Sequence, residues 1–299
     1  MERNPEDQRK QKFIESLQQT YAGCIFDIDG TLTVRGDEFI PAFMHETLAE
    51  MCLSVPLAVC SARNLAHAYE KMAPVFTRSA NPAVCQSNWI LICENGSVGY
   101  FYDQENKKYA EFYRVQYPYP EAHRNSLFAR VNKALEGKLG ESFMNEVSII
   151  FRPVNFNDPD RVALANRSRE LAQAVAGELA KVDPKSSLKT GDSGIGVSIF
   201  PFNGDKEQGT QQFAKYLREK KGFNIGAEAK ELAVVGDQPG KTGNDETFLD
   251  GKYGTPFTVG EVHPENLYPL PVYDLQTGKI LKGPEGTIYL LKNLKFRTL

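Results

Sequence analysis

The sequence predicts an α/β fold built on a parallel sheet, and three observations favour this class. Apolar strand-like runs alternate with amphipathic stretches through most of the 299 residues, as in chains that cover a parallel sheet with helices. Hydrophobic residues make up 41% of the chain and charged residues 24%, the balance of an ordinary globular protein. The middle of the chain departs from this alternation, and its length allows a second, inserted module.

Each element of the predicted sheet domain follows from its local pattern. Short apolar runs bounded by turn residues predict strands, and apolar periodicity with terminal signals predicts helices. The predicted strands are Cys24–Ile28, Leu57–Cys60, Trp89–Cys93, Leu232–Val235 and Pro256–Val259. The predicted helices are Pro41–Cys52, Leu65–Met72 and a final helix over Ile288–Leu294.

The middle segment has an α+β pattern of its own. Two Tyr- and Phe-rich stretches within residues 98–114 flank a polar turn, which predicts a hairpin. Beyond it we expect a helix over Glu121–Leu139, a strand over Val147–Arg152, a helix over Asp158–Val182 and a strand over Gly194–Phe202. We therefore predict a module over residues 98–195, inserted into a sheet domain of residues 1–97 and 196–299.

Charge and cysteine content limit the partners and the compartment. The formal net charge of −3 leaves no basic excess to neutralise phosphates, so we expect no nucleic-acid partner. The first twenty residues are polar and no stretch is long enough to span a bilayer, so we expect neither a signal peptide nor a membrane partner. The five cysteines are odd in number, and Cys24, Cys60 and Cys93 lie in apolar runs, which favours a reducing, cytoplasmic location. The sequence predicts no oligomeric state.

Residues 24–33 are the most informative segment, because two carboxylates one residue apart follow an apolar run. Asp27 and Asp29 would leave the carboxyl end of a core strand, where open α/β sheets bind ligands. Such a pair is costly unless a cation or a shared proton relieves it, which suggests a hard metal ion and phosphoryl chemistry. Asp27 can attack phosphorus, and Asp29 is near enough to protonate the leaving oxygen and then activate water. Gly30 permits the tight turn, and Thr31 can support it.

The string that begins at Asp27 resembles the first motif of the haloacid dehalogenase superfamily, whose phosphotransferases carry DxDGT. The resemblance implies a Rossmann-like core and three further motifs in a fixed order. The second motif is a strand that ends in Ser or Thr, and Ser61 after Leu57–Cys60 would bind the transferring phosphoryl group. The third is a lysine that offsets the charge of the nucleophile and the phosphate, and Lys206 at a predicted helix start suits it.

The fourth motif of this family is a strand followed by residues that hold Mg²⁺. Asp237 follows the strand over Leu232–Val235, and the pair Asn244-Asp245 matches the end of the motif. By resemblance, Asp27, the backbone carbonyl of Asp29 and Asp237 would bind Mg²⁺. Asn244 would lie at the phosphate, and Asp245 would support the site. In this chain six residues separate Gly236-Asp237 from Asn244-Asp245. In many members of the family only two residues separate the corresponding pairs.

A competing motif overlaps this segment. Gly240-Lys241-Thr242 after a strand suggests a P-loop, which requires the pattern GxxxxGK[ST]. The first glycine would have to stand at position 235, which is Val235, so the pattern is not met. Lys241 is a candidate for an additional cation facing the phosphate.

The long gap between Ser61 and Lys206 leaves room for a whole domain and is similar to the family's C2-type cap, which selects the substrate. The resemblance therefore implies a Mg²⁺-dependent phosphatase acting on a small phosphorylated metabolite, a sugar phosphate in particular. Basic residues of the predicted cap, such as Arg152 and Arg161, are expected to be solvated.

Two alternatives stay open. A phosphomutase is one, because the ten residues from Gly236 to Asp245 match the loop length of phosphomannomutases, although the arginine-rich cap pattern is matched only at Phe151-Arg152. A non-catalytic member that binds a phosphorylated ligand is the other. Its sign would be loss of Asp27 or Asp29, and both are present.

Overall fold

The computed structural model describes residues 4–35, 37–240, 243–263 and 265–299, so Lys241 and Thr242 lie outside the described residues. The helices are α1 (Pro5–Ser16), α2 (Ala42–Met51), α3 (Leu65–Arg78), α4 (Pro82–Ser87), α5 (Glu121–Ala134), α6 (Arg161–Ala180), α7 (Lys206–Lys221) and α8 (Gly283–Asn293). The strands of the first half are β1 (Thr20–Tyr21), β2 (Gly23–Phe26), β3 (Leu57–Cys60), β4 (Trp89–Cys93), β5 (Val98–Asp103) and β6 (Lys108–Arg114). The later strands are β7 (Leu139–Met144), β8 (Ile149–Pro153), β9 (Leu188–Asp192), β10 (Val197–Pro201), β11 (Leu232–Gly236), β12 (Thr255–Thr258), β13 (Leu270–Pro271) and β14 (Lys295–Phe296).

The main sheet has eight strands in the order β13-β12-β11-β2-β3-β4-β5-β6. The strands from β13 to β4 run parallel, and the β5–β6 hairpin adds two antiparallel strands at one edge. The predicted α/β class and all five predicted core strands are confirmed, with bounds that differ by at most two residues. Strand β2 lies between β11 and β3 and carries Asp27 at its carboxyl end.

Both faces of the main sheet are covered, because successive side chains of a strand point to opposite sides. Cys24 and Phe26 of β2 belong to a core that Phe13 of α1 and Leu290 of α8 also join. Ile25, which points the other way, belongs to a second core with residues of α7. The sheet is thus a buried layer between helices, and its strand ends are fixed in position.

A second, four-stranded antiparallel sheet has the order β7-β8-β10-β9. Helices α5 and α6 cover one of its faces, where Ile149 and Phe151 of β8 pack with Val131 and Val175. Ile150 and Arg152, the alternate residues of β8, line a cleft above the carboxyl ends of the main sheet. The helix predicted over Glu121–Leu139 ends at Ala134, residues 135–138 form a turn, and β7 begins at Leu139.

The sheet assignments shift the predicted module bounds of 98–195. The hairpin over residues 98–114 pairs with β4 and completes the main sheet, so it is not part of the inserted module. Strand Val197–Pro201 pairs with β8 and β9, so it belongs to the small sheet and not to the predicted domain over 196–299. The pattern misleads because a hairpin signal carries no information about which sheet it joins. We use "cap" below for residues 115–201.

Two of the five cysteines are bonded to each other. Cys52 at the end of α2 and Cys85 in α4 form a disulfide, whereas Cys24, Cys60 and Cys93 are buried and free. Disulfides are rare in reducing compartments, so this pairing runs against the expected reducing location. No helix among the described residues is long and apolar enough to cross a membrane.

Candidate active site at the carboxyl end of the main sheet

Three adjacent parallel strands end in polar residues at the same edge of the main sheet. Asp27 follows β2, Ser61 follows β3 and Asp237 follows β11. All three side chains are buried or nearly so. Parallel strands share the direction of their carboxyl ends, so residues more than 200 positions apart in sequence converge here.

Lys206 lies between the carboxylates of Asp27 and Asp245. Its Nζ donates to Asp27 Oδ1 and to Asp245 Oδ1, both at 2.6 Å, and the lysine is only 1% exposed. Lys206 is the first residue of α7, as the sequence predicts, and Asp205 caps that helix by accepting from the Gln208 amide. A single buried ammonium therefore offsets the charge of two buried carboxylates.

Asp245 is held by the loop that begins at Asp237. Its Oδ2 accepts hydrogen bonds from the backbone amides of Asp237 and Gln238, at 2.9 and 3.0 Å. Because both of its oxygens are occupied, Asp245 acts as a fixed support between Lys206 and the β11 loop. The pair Asn244-Asp245 thus reaches the site despite the six residues that precede it, and Asn244 lines the cleft.

Asp237 carries the features of a cation ligand. Its Oδ2 pairs with the Arg35 guanidinium, while Oδ1 is buried and has no hydrogen-bond partner among the described residues. Oxygens of Asp27, Asp237 and Asp245 lie within 4.8 Å of one another. An orphaned carboxylate oxygen in a cluster of hard oxygen donors fits a Mg²⁺ ion. Arg35, which the sequence did not point to, supplies the positive charge there.

Burial and the crowding of carboxyl groups in this cluster raise the pKa values of Asp27 and Asp237. Burial is the largest cause that raises the pKa of Asp27 to about 7, opposed by Lys206 and reinforced by Asp245 and Asp29. Burial likewise raises the pKa of Asp237 to about 8, opposed by Arg35 and reinforced by Asp245 and Asp27. Without a metal ion, the folded protein therefore retains protons that the unfolded chain would release.

We expect the metal-free protein to lose stability as the pH rises from about 5.5 to 8. The Asp27 and Asp237 pKa values are higher in the folded state than in the unfolded chain, so the stability that these two carboxyls contribute is complete below the unfolded value of about 4 and is lost as the pH rises to about 7 and 8. The slope is at most about 1.4 kcal/mol per pH unit for each carboxyl. Thermal melting with a chelator across this range measures it, and saturating Mg²⁺ should flatten the profile. A metal-free stability that rises with pH would contradict the assignment.

The Asp29 carboxylate is held by an arginine. Arg63 Nε and Nη2 donate to its two oxygens at 3.0 and 2.8 Å. Burial raises the pKa of Asp29, but the Arg63 charge and hydrogen bonds outweigh it, so the pKa lies below its usual value. Asp29 is therefore ionised at neutral pH and is a proton acceptor in this arrangement. Arg63, two residues beyond Ser61, is a candidate site residue to which the sequence motifs assign no role.

Ser61 and Arg63 are positioned by the turn that follows β4. The backbone amide of Asn95 donates to the Ser61 carbonyl at 2.9 Å, and the amide of Glu94 donates to the Arg63 carbonyl at 2.9 Å. Gly96 completes this turn at a φ of 105°, and a side-chain carbon there would come within 2.0 Å of the Asp205 carbonyl oxygen. The turn can therefore approach the start of α7 only with glycine at this position.

The turn after Asp29 brings the first motif against Asp237. Gly30 has a φ of 86°, and a side-chain carbon on it would lie 2.1 Å from Asp237 Oδ2. The Thr31 carbonyl accepts from the Thr287 hydroxyl of α8 at 2.8 Å, which anchors the turn to the rest of the core. The turn over Gly30 and Thr31 is therefore packed between Asp237 and α8.

Glu94 joins the core to the cap. The carboxylate is 1% exposed and accepts from the backbone amides of Glu146, Val147 and Ser148 at 3.1, 2.8 and 2.7 Å. Its Oε2 also accepts from the Ser148 hydroxyl at 3.0 Å. Asn95 adds a buried hydrogen bond across the same boundary. Four bonds to one carboxylate set the loop before β8, and with it the roof of the cleft.

Replacing Glu94 with Gln should lower the free energy of unfolding by about 2 kcal/mol. The amide cannot accept from all four donors, and its own N–H₂ group would face backbone N–H groups, so charge-assisted bonds are lost. Chemical denaturation measures the loss, and exposed Glu136→Gln is the matched control. Equal stability of the two variants would show that this carboxylate does not hold the cap.

The cleft between the cap and the strand ends has an empty volume of about 690 Å³, counting space that opens to solvent. Its floor is formed by core residues and its roof by the small sheet. The lining includes Asp27, Asp29, Ser61, Arg63, Asn145, Ile150, Arg152, Ser198 and Asn244. This size suits a small organic ligand whose phosphoryl end would meet the carboxylates.

Solved structures of known phosphatases resemble this fold, although no family model and no curated protein sequence matches the chain. An IMP-bound mutant of Plasmodium falciparum IMP-nucleotidase aligns with a TM-score of 0.62 at 14% identity, over 94% of this chain and 70% of that one. The C-terminal domain of C. albicans trehalose-6-phosphate phosphatase aligns with a TM-score of 0.59 at 14% identity, over 96% of this chain and 95% of that one.

Structural alignments at an identity this low show a common fold and do not show a common activity. The parallel main sheet, the inserted cap and the order of the strand-end residues all agree with the resemblance seen in the sequence. The chain therefore has the fold seen in the Plasmodium falciparum IMP-nucleotidase and the C. albicans trehalose-6-phosphate phosphatase.

Proposed function

We propose that the protein is a Mg²⁺-dependent phosphatase that hydrolyses a small phosphorylated metabolite, of the sugar-phosphate kind. The observation that carries the proposal is the buried cluster in which Lys206 bridges Asp27 and Asp245 beneath the cleft. The two structural neighbours, an IMP-nucleotidase and a trehalose-6-phosphate phosphatase by name, support a phosphorylated metabolite as the substrate class.

Asp27 is the proposed nucleophile. Lys206 binds its Oδ1 and fixes the carboxylate in the cleft, where it would attack phosphorus in line with the leaving oxygen. A bond forms between the carboxylate and phosphorus, and the bond from phosphorus to the leaving alcohol oxygen breaks. Water then attacks the aspartyl-phosphate and releases inorganic phosphate. Ser61 and Lys206 would stabilise the charge on the phosphoryl oxygens.

Asp29 is the proposed acid and base. Its proton goes to the leaving alcohol oxygen in the first step, and it takes a proton from the attacking water in the second. The Arg63 pair keeps Asp29 ionised, which is the form that the second step requires. For the first step Asp29 must acquire a proton, and loosening of the Arg63 pair would raise its pKa toward that state.

Mg²⁺ would be held by the side chains of Asp27 and Asp237 and by the Asp29 backbone carbonyl, with Asn244 and Asp245 in support. When bound, it would act as a Lewis acid on the phosphoryl group and offset the charge that builds up there. Oxygen donors of this kind are those that Mg²⁺ prefers. The Oδ1 atom of Asp237, buried without a partner among the described residues, is the observation that favours a cation here.

Release of inorganic phosphate from a panel of phosphate monoesters, with Mg²⁺ and with a chelator, tests the proposal. We expect turnover of at least one sugar phosphate that depends on Mg²⁺. No phosphate release from any member, p-nitrophenyl phosphate included, would reject a phosphatase and favour a binding protein for a phosphorylated ligand.

A phosphomutase is the second candidate, favoured by Arg152 of the cap, which lines the cleft and could hold a second phosphate. Incubation with a hexose 1-phosphate and a bisphosphate activator distinguishes the two activities. Inorganic phosphate identifies the phosphatase, whereas an isomerised sugar phosphate identifies the mutase.

A further inference from the structure

A large pocket that carries three tyrosines lies beside the active-site cleft. Its aromatic and apolar lining comes from Leu65 and Tyr69 of α3, Tyr102 and Tyr109 of the β5–β6 hairpin and Met144 of β7. We call these five residues the tyrosine pocket. Its empty volume is about 1410 Å³, counting space that opens to solvent, whereas the cleft has about 690 Å³ on the same measure. The larger of the two neighbouring spaces is therefore the one outside the catalytic cleft.

The start of α3 connects the catalytic residues with the tyrosine pocket. Ser61 lines the cleft, Asn64 at the N-cap of α3 lines both spaces, and Tyr69 lines only the pocket. Five helical residues advance about 7.5 Å along the axis, so Tyr69 lies roughly that far beyond Asn64. A span of this order leaves room for one sugar unit between a phosphoryl group in the cleft and a group in the pocket.

The cap continues this path on the opposite side. Met144 lines the pocket, and Asn145 lines both spaces. Asn64 Nδ2 donates to Asn145 Oδ1 at 3.3 Å, and this amide pair forms the boundary between the cleft and the pocket. Each amide also has a partner in its own segment, since Asn64 accepts from the His67 amide and Asn145 donates to the Ser148 hydroxyl, both at 3.1 Å. The boundary is thus polar and suits a part of a ligand that carries hydroxyl groups.

The three tyrosines form an ordered cluster with an exposed outer part. Tyr109 is central, and the rings of Tyr69 and Tyr102 lie edge-on to it at centroid distances of 5.9 and 5.5 Å. The Tyr109 hydroxyl donates to the Trp89 carbonyl at 3.4 Å, which orients the central ring. Tyr69 on the core side and Met144 on the cap side are each 39% exposed. Large apolar side chains exposed together beside a site are typical of a binding surface, and aromatic rings favour aromatic partners.

Apolar side chains of the cap also line the cleft itself. Phe143, which precedes Met144 in β7, and Ile150 of β8 are both on the cleft lining. The Arg152 guanidinium lies over the Phe143 ring, 5.5 Å from its centroid, and donates to Glu141 Oε2 at 2.7 Å. Contrary to the sequence-based expectation, Arg152 is therefore packed and paired rather than freely solvated. The part of a substrate beyond its phosphoryl group thus meets an apolar surface that leads toward the pocket.

We infer that the tyrosine pocket binds an aromatic ring carried by the alcohol part of the substrate whose phosphoryl group meets Asp27. This inference rests on the proposed function and narrows its substrate class to phosphorylated sugars that bear an aromatic ring, the chemistry of nucleoside monophosphates and of aryl glycoside phosphates. The ring would pack against Tyr69 and Met144, and the sugar hydroxyls would hydrogen-bond to Asn64 and Asn145 at the boundary.

The test compares phosphate esters with and without the ring. The pairs are ribose 5-phosphate with adenosine 5′-monophosphate, and methyl β-glucoside 6-phosphate with phenyl β-glucoside 6-phosphate. We expect kcat/KM to be about tenfold or more higher for the ring-bearing member of at least one pair, because burial of a ring and its aromatic contacts discriminate by that order. The first pair reports a nucleobase and the second reports an aryl group. Both members of a pair carry one phosphate monoester, so Lys107 and Lys108, which also line the pocket, do not set the ratio by charge.

Tyr69→Ala and Met144→Ala should each reduce this ratio of kcat/KM values about fivefold. General damage to the catalytic residues lowers both values of a pair and cancels in the ratio. Phe43→Ala is the matched control, because Phe43 is an aromatic residue of α2 that is 55% exposed and lines neither the cleft nor the pocket. Its ratio should equal that of the parent protein. The two variants come from the core and the cap, which guards against one that fails to fold.

The outcomes separate this inference from the proposed function. An active enzyme that hydrolyses the ring-free members as fast as or faster than their partners overturns the role of the tyrosine pocket. A high parent ratio that neither Tyr69→Ala nor Met144→Ala lowers also overturns it, because the ring would then bind elsewhere, and so does a ratio that falls equally in Phe43→Ala. Absence of turnover on every ester, p-nitrophenyl phosphate included, overturns the proposed function and this inference with it.

Discussion

Asp27→Asn should reduce phosphatase turnover by about 10⁴-fold or more while leaving the fold intact. The amide is a poor nucleophile toward phosphorus, so the covalent intermediate cannot form. Lys206 keeps its second partner, because its Nζ also binds Asp245 Oδ1 at 2.6 Å. The change also removes a carboxylate whose burial raises its pKa, so the melting temperature should stay the same or rise.

Steady-state release of phosphate and thermal melting measure the two effects together. Asp7→Asn on α1 is the control, because Asp7 is exposed and does not line the cleft. Mass spectrometry of rapidly quenched parent protein should detect one added phosphoryl group, and that addition should be absent in Asp27→Asn. Full turnover in the folded variant would exclude Asp27 as the nucleophile.

The sequence could predict the strand ends because their signals are local. Each of Asp27, Ser61 and Asp237 directly follows a short apolar run, and parallel strands bring such ends to one edge of a sheet. Lys206 could be placed at a helix start for the same reason. The positions of these four residues follow from strand and helix patterns that are local in the chain.

The partners of these residues could not be predicted, because they come from tertiary contacts between side chains. Arg63 reaches Asp29 from 34 positions along the chain, and Arg35 reaches Asp237 from 202 positions. A lone arginine in a loop has no local signal that distinguishes a buried ion pair from a solvated charge. The Asp29 pKa, and hence the protonation state from which it acts, depends on that unpredicted contact.

The predicted cap bounds failed for a related reason. The β5–β6 hairpin and strand β10 have correct local patterns, but strand pairing decides which sheet each of them joins. The contacts of Glu94 could not be predicted either. Its buried carboxylate accepts hydrogen bonds from residues 146–148, and only the packing of the cap on the core brings these residues together. The sequence therefore predicts which polar residues end the strands, whereas their ion-pair partners and pKa values can be determined only from the folded structure.

Lys206→Met should lower the free energy of unfolding by about 3–5 kcal/mol at neutral pH, the largest stability effect we expect from one substitution in this site. The methionine fills much the same volume, so the loss is electrostatic. Asp27 and Asp245 would lose the one ammonium that both contact, and they lie within 4.8 Å of each other and of Asp237. Turnover should fall as well, because the phosphoryl group would lose a cation.

Chemical denaturation at pH 7.5 measures this loss of stability. Lys215→Met is the matched control, because Lys215 is an exposed residue of the same helix. This control substitution should change the free energy of unfolding by less than about 0.5 kcal/mol. If the loss of stability is electrostatic, two changes should each restore part of it in Lys206→Met. Adding Asp245→Asn should restore part of the stability, because it removes one of the carboxylates left without its ammonium partner. Lowering the pH to 5.5 should also restore part of it, because protonated carboxyls no longer repel. If neither change recovers stability, the loss comes from packing around the lysine stem, and the buried ion pairs of Lys206 are not what holds this cluster together.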